Sequence, residues 1–177
     1  YILSRRWRIY QMQVPTRADS PAHYGDFVRD LLEDMHVKDI FYEDVSFRYL
    51  PESMTLKEFL PVMTSTQQQS FPVIDEHGQM TGIFDINDLR DILVERDLDN
   101  LIIMKEIAEE RVPCATMGDD LAEVLQKFAE YEVDVLPVVE REDSRKLLGM
   151  IRRRDVISNY YKRLNELKGE RNRSGQF

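Results

Sequence analysis

Apolar residues along the chain fall into two periods. Leu56, Phe59, Leu60 and Met63 follow the i, i+3, i+4 spacing of one helix face and predict a helix near 54–64. Short runs rich in β-branched and aromatic residues predict strands over 45–49, 71–75 and 80–84, with a further helix near 86–95. The series then repeats. Leu121, Val124, Leu125 and Phe128 restate the helical stripe 65 residues later, and Phe71-Pro72-Val73-Ile74 recurs at the same offset as Leu136-Pro137-Val138-Val139. Gly82 to Asp88 recurs as Gly149 to Asp155 at an offset of 67, so the two extra residues fall in the turn between paired strands, where insertions are tolerated. The second copy predicts strands over 112–115, 134–140 and 146–151 and helices over 119–131 and 153–167. A leading helix precedes each copy, carrying Phe27, Leu31, Leu32 and Met35 in one and Leu101, Ile102, Met104 and Ile107 in the other. Pro72 and Pro137 sit at strand starts, where a missing N–H is tolerated. Each unit reads strand-helix-strand-strand-helix, and a three-stranded sheet of that size buries little alone. The predicted class is α+β, two units packed sheet to sheet about a pseudo-two-fold axis.

Composition narrows the function classes. A chain of 177 residues, 42% hydrophobic and 32% charged, can bury a core. Its longest apolar runs, such as Leu101 to Met104, stop after four residues, far short of the roughly 20 that a bilayer span requires. The single cysteine, Cys114, cannot form an internal disulfide and points to a reducing compartment; its place in a predicted strand makes it a small core residue. The net charge of -9 argues against nucleic acid as partner. That charge is uneven. Residues 1–17 carry Arg5, Arg6, Arg8 and Arg17 with no acid, residues 162–177 carry five basic residues against Glu166 and Glu170, and the stretch between them holds -16. The segment 168–177 reads as a disordered tail. Tyr1-Ile2-Leu3 followed by Ser4-Arg5-Arg6-Trp7-Arg8 reads as the junction just after a membrane helix, where basic residues and Trp mark the cytoplasmic boundary. His23, His36 and His77 have no partner at metal-ligand spacing, so no metal site is expected. Glu109-Glu110 and Asp119-Asp120 read as solvated faces and helix starts. Without a nucleophile or paired carboxylates, no enzymatic constellation is expected. Met54, Met63, Met104 and Met150 fall in phase with the apolar stripes as core candidates.

The repeated unit, with its Phe71-Pro72-Val73 and Leu136-Pro137-Val138 hairpins and its Gly82 to Asp88 and Gly149 to Asp155 motifs, resembles a tandem pair of CBS motifs, the regulatory module called a Bateman domain, over about residues 35–161. Residues 5–23, which include Arg5-Arg6-Trp7-Arg8 and end in Ala22-His23, resemble the linker that joins the last membrane helix of CLC chloride channels and chloride/proton antiporters to their cytoplasmic CBS pair. The resulting organisation is a juxtamembrane linker at 1–23, a first CBS motif with leading helix at 24–98, a second at 99–167, and the tail at 168–177. The resemblance implies a non-catalytic regulatory module at the cytoplasmic face of the membrane, joined to the membrane domain of its own homodimeric CLC transporter. It also implies an adenine nucleotide, ATP, ADP or AMP, as regulatory ligand between the motifs. By the family pattern Asp88 and Asp155 occupy ribose positions, since a carboxylate can accept bonds from two vicinal hydroxyls. The better nucleotide site would pair Asp155 with Gln68, Gln69, Ser70 and Phe71 of the other repeat.

The residues three before each Asp, commonly Ser or Thr in CBS motifs, are Asp85 and Arg152. Asp85 would repel phosphate, and Asp85-Ile86-Asn87-Asp88 is also spaced as a helix cap, so the first site is expected to be empty. Arg152, Arg153 and Arg154 occupy a predicted first helical turn, where each cation opposes the macrodipole by roughly 0.3 to 1 kcal/mol. Two readings follow. A nucleotide phosphate binds there, held by Arg152 and Arg153, or Asp155, Asp134 and Glu140 neutralise the run on a solvated surface. At the level of function the alternatives are a nucleotide sensor and a ligand-free dimerisation scaffold of the same transporter.

Overall fold

The computed structural model describes residues 29–41, 47–89 and 102–174. A short helix α1 (Val37–Ile40) precedes a sheet of β1 (Leu50–Pro51), β2 (Ser70–Ile74) and β3 (Met80–Asp85), with α2 (Leu56–Thr64) between β1 and β2. A second short helix, α3 (Met104–Ile107), precedes an equivalent sheet of β4 (Ala115–Thr116), β5 (Val135–Val139) and β6 (Leu147–Arg152), with α4 (Leu121–Glu130) between β4 and β5 and α5 (Arg153–Ser174) after β6. In both sheets the first strand runs parallel to the middle one, Leu50 beside Val73 and Ala115 beside Val138. The hairpins pair Phe71 with Phe84 and Leu136 with Ile151, and their registers slip at corresponding places, Val73/Ile74 and Val138/Val139. The chain is therefore the expected α+β double repeat.

Local chemistry sets the element boundaries. Thr55 caps α2 in a reciprocal box, its hydroxyl accepting from the Glu58 N–H and the Glu58 carboxylate accepting from the Thr55 N–H at 2.8 Å. Asp120 caps α4 by accepting from the Glu123 N–H at 2.8 Å. Residues 47–49 and 112–114, expected as strand, are not: the first strands are at Leu50 and Ala115, because ladder partners begin only at Val73 and Val138, while 45 and 46 lie outside the described residues. Pro72 and Pro137 lie inside middle strands, not at their starts. Pro72 fits because it pairs with Ile83, whose N–H and carbonyl both bond outward to Glu109 at 3.0 and 2.8 Å, and because β1 reaches only from Val73 onward, so neither neighbouring strand needs a donor there.

The leading segments do not stay with the repeats they precede. Val37 and Ile40 are buried with Leu121, Val124, Phe128, Leu136 and Val138 of the second repeat, while Met104 is buried with Leu56, Phe59, Phe71 and Phe84 of the first. Three backbone bonds fix each exchange. Val37 N–H donates to Asp119 O, Lys38 to Met117 O and Leu121 to Met35 O; correspondingly Met104 donates to Met54 O, Lys105 to Glu52 O and Leu56 to Ile102 O, all between 2.8 and 3.1 Å. The second set is the first with the two repeats interchanged, which is the pseudo-two-fold relation in hydrogen bonds. Each leading helix thus precedes its own motif in sequence but packs into the core of the other repeat. A third apolar cluster of Met80, Ile83 and Val139, with Cys114, Leu147 and Met150 packed against it, joins the two sheets. Cys114 is thus half-buried between the sheets just before β4.

The last helix runs through Gly169 to Ser174, past the end expected at 167, so the residues 168–174 assigned to a disordered tail are helical. Its early turns are anchored by buried Val156, Tyr160 and Leu164, and helix propagation from an anchored segment is cheap. After β3 the chain makes a single 3-10 turn, Ile86–Asp88; most of the helix expected over 86–95 lies outside the described residues, as does the 1–23 linker. No described helix is long and apolar enough to cross a membrane.

Candidate functional site

The turn between α2 and β2 and the junction between β6 and α5 open onto one cleft of about 1080 Å³. From the first repeat it is lined by Phe47, Arg48 and residues 64–70, and from the second by Asp134, Val135, Met150, Arg152, Arg153, Arg154 and Ile157. Among the described residues its charged lining is four arginines against the single carboxylate of Asp134, in a chain whose net charge is -9. Phe47, Val135, Met150 and Ile157 supply apolar wall. A surface of this kind suits an anion that carries an apolar planar group, since guanidinium groups bind phosphate and apolar walls receive a ring.

Gln68, Gln69, Ser70, Arg152 and Arg153 all line this cleft. Several of them are already committed within the chain. The Gln68 side-chain amide accepts from the Arg48 N–H at 2.8 Å and donates to the Arg48 carbonyl at 2.6 Å, standing in for a neighbouring strand just before β1 begins. The Gln69 carbonyl accepts from the Ile86 N–H at 2.9 Å. Ser70 Oγ donates to Asp85 Oδ2 at 2.6 Å, and Asp85 Oδ1 accepts from the Asn87 N–H at 2.9 Å. Asp85 is therefore the cap of the 3-10 turn, as its spacing suggested.

Three of the expected nucleotide-binding residues are not among those that line the cleft. Phe71 does not face the cleft: it is fully buried, edge-on to Phe59 with ring centroids 5.2 Å apart. The β pleat explains this, since Phe71 alternates with Ser70 and turns to the core face. Asp155 is not among the lining residues; its carboxylate accepts from Arg152 Nε at 2.8 Å and lies 3.7 Å from Arg154 Nε. Asp88 ends the 3-10 turn after β3 and is not among the lining residues. The arginine run is partly neutralised from within. Arg153 Nη1 lies 3.8 Å from Asp134 Oδ1, but Glu140 pairs instead with Lys146 at 3.3 Å.

Arg48 and Arg154 are lining residues absent from the expected set. Arg48 was hidden inside a predicted strand. Its signal was the repeat itself: 65 residues on, the second copy holds Pro113, so the charge is not a feature both copies need for folding.

Comparison with known proteins gives the class and then the family. The fold is shared with CBSX2, solved in complex with AMP, which superposes with a TM-score of 0.61 at 16% identity, covering 72% of this chain and 97% of that one. The chain matches the CBS domain twice, over residues 37–95 and 104–162, and belongs to the CBS domain family. A methylated protein of Methanocaldococcus jannaschii is 26% identical over 144 residues, 77% of this chain and 80% of its own length. A magnesium transporter of Enterococcus faecalis is 34% identical over 85 residues, 48% of this chain but only 17% of the transporter.

Proposed function

We propose that this CBS pair is a cytoplasmic regulatory domain of a CLC-type chloride channel or chloride/proton antiporter, and that it senses an adenine nucleotide in the cleft between its repeats. The carrying observation is the cleft itself, where four arginines and apolar walls from both repeats gather in an otherwise acidic chain. An AMP complex of a structural relative supports an adenosine-type ligand, and the likeness of residues 5–23 to the CLC linker supports the parent transporter. The module acts by binding and not by catalysis, at the cytoplasmic face of a homodimeric transporter. Because the lining comes from both repeats, a ligand there favours the inter-repeat arrangement it contacts better, and it can shift the transporter only by that differential affinity. Arg152 and Arg153 hold phosphate. Asp155 orients Arg152 through their 2.8 Å contact and offers the ribose acceptor implied by the family pattern.

Titration calorimetry and thermal melting of the chain with AMP, ADP and ATP test this reading. Binding is expected, with Arg152→Ala, Arg153→Ala and Asp155→Ala each weakening it about tenfold. No heat and no melting shift at millimolar nucleotide would sink it. The second reading, a ligand-free scaffold steadying the transporter dimer, draws on the bonds that already occupy Gln68, Ser70 and Asp155 within the chain. Dimers without a nucleotide response would favour it.

A further inference from the structure

Arg48 lines the cleft from the first repeat, facing the same space as Arg152, Arg153 and Arg154 of the second. It is held at two levels. The Gln68 amide clamps its backbone on both the N–H and the carbonyl side, at 2.8 and 2.6 Å. Its guanidinium Nη1 donates to Ser65 Oγ at 2.9 Å, and that hydroxyl donates onward to the Val62 carbonyl at 2.8 Å. Ordering a long arginine costs rotamer entropy, yet among the described residues no carboxylate forms an ion pair with Arg48. The repeat shows that folding does not require the arrangement, because the positions 65 residues on are Pro113, Glu130 and Val133 in place of Arg48, Ser65 and Gln68. Across the cleft, Arg153 and Arg154 make, among the described residues, only long carboxylate contacts of 3.8 and 3.7 Å.

A preset guanidinium on one wall and a run of three on the other fit an anion with charge at more than one point. A nucleoside monophosphate has one such point, and a triphosphate has a chain of them. We infer that Arg48 is a specificity-determining residue that receives the distal phosphates of a nucleoside triphosphate, so that the cleft discriminates nucleotides by phosphate number. This rests on the nucleotide reading proposed above and names the ligand class within it.

Calorimetric titration of the full chain with ATP and with AMP, for the wild type, Arg48→Gln and Ser65→Ala, tests it. The wild type should bind ATP more tightly than AMP. Arg48→Gln should weaken ATP about tenfold while leaving AMP within about twofold, the loss of one charged hydrogen-bonding partner. Ser65→Ala keeps the charge but frees the guanidinium, and should weaken ATP selectively by a smaller factor. Its substitution sits at an exposed helix end and provides an independent readout if Arg48→Gln is poorly folded. Equal wild-type affinity for ATP and AMP, or equal weakening of both in the variants, overturns the role of Arg48 and leaves the nucleotide reading standing. Binding of neither nucleotide by the wild type overturns that reading and this one together.

Discussion

A methyl group added at Gly82 would lie 2.8 Å from the carbonyl oxygen of Glu109, and one added at Gly149 would lie 2.7 Å from Cζ of Phe41. Both glycines sit where the segment following the exchanged leading helix crosses the third strand of the opposite sheet, so the glycine motif of the repeat serves chain crossing as much as any ligand. The neighbour at Gly82 is backbone hydrogen-bonded to Ile83 at 2.8 and 3.0 Å, whereas the neighbour at Gly149 is a half-buried side chain that can swing. Overpacking of this kind costs about 1–3 kcal/mol, and Gly82→Ala should lie at the upper end with Gly149→Ala below it, read from urea midpoints. Asp119 makes a second residue-scale prediction. Partial burial alone would raise its carboxyl pKa, but the bonds from Lys127 Nζ at 2.7 Å and from the Thr116 hydroxyl and N–H outweigh that and hold it below the usual carboxylate range. A depressed folded pKa contributes stability above the unfolded value and loses it as pH falls through the folded one, hence below about pH 4. Asp119→Asn should flatten the fall in urea midpoint on acidification through that window. A fall as steep as wild type would remove Asp119 as a source; Asp75, whose carboxyl is also lowered, chiefly by the Gln79 N–H, supplies part of what remains.

At the scale of elements, the exchange of α1 and α3 has a directional consequence. Met104 precedes the second repeat in sequence but is fully buried in the core of the first, beside Phe59, Phe71 and Phe84. Truncating a buried Met to Ala costs about 2–5 kcal/mol. Met104→Ala should therefore accelerate hydrogen exchange first in β2 and β3, while Val37→Ala should act first on β5 and β6. Faster exchange in the sheet nearer in sequence would contradict the crossing. The α2 and α4 stripes and their Thr55 and Asp120 caps were legible because helix period and cap spacing are local properties of the chain. The first strands were not, since β1 and β4 are two residues each and exist only where β2 and β5 offer a partner. Nor was the length of α5: Gly169 suggested a stop, but a methyl group there would meet nothing within 4 Å and the helix continues past it.

For the whole molecule, the two repeats are related as folds but not as surfaces. The cationic cleft draws on Arg48, Ser65 and Gln68 on one wall and Arg152 to Arg154 on the other; the offset counterparts are Pro113, Glu130, Val133 and Asp85-Ile86-Asn87. One nucleotide per chain is the expected stoichiometry, and at a free concentration of 100 times Kd it should stabilise the chain by about 2.7 kcal/mol. Two equivalent sites by calorimetry would contradict this asymmetry. The sequence by itself determined the double repeat, the α+β class, the helix caps and the presence of Gln68 to Ser70 and Arg152 to Arg154 near strand ends, because period, offset and cap spacing are carried by neighbours along the chain. Only the tertiary structure decided which core each leading helix joins and that Arg48 of one repeat faces the same cleft as Arg152 to Arg154 of the other. Those outcomes depend on backbone bonds and side-chain contacts between residues distant in sequence, such as Met104 to Met54 and Val37 to Asp119, which no local pattern specifies.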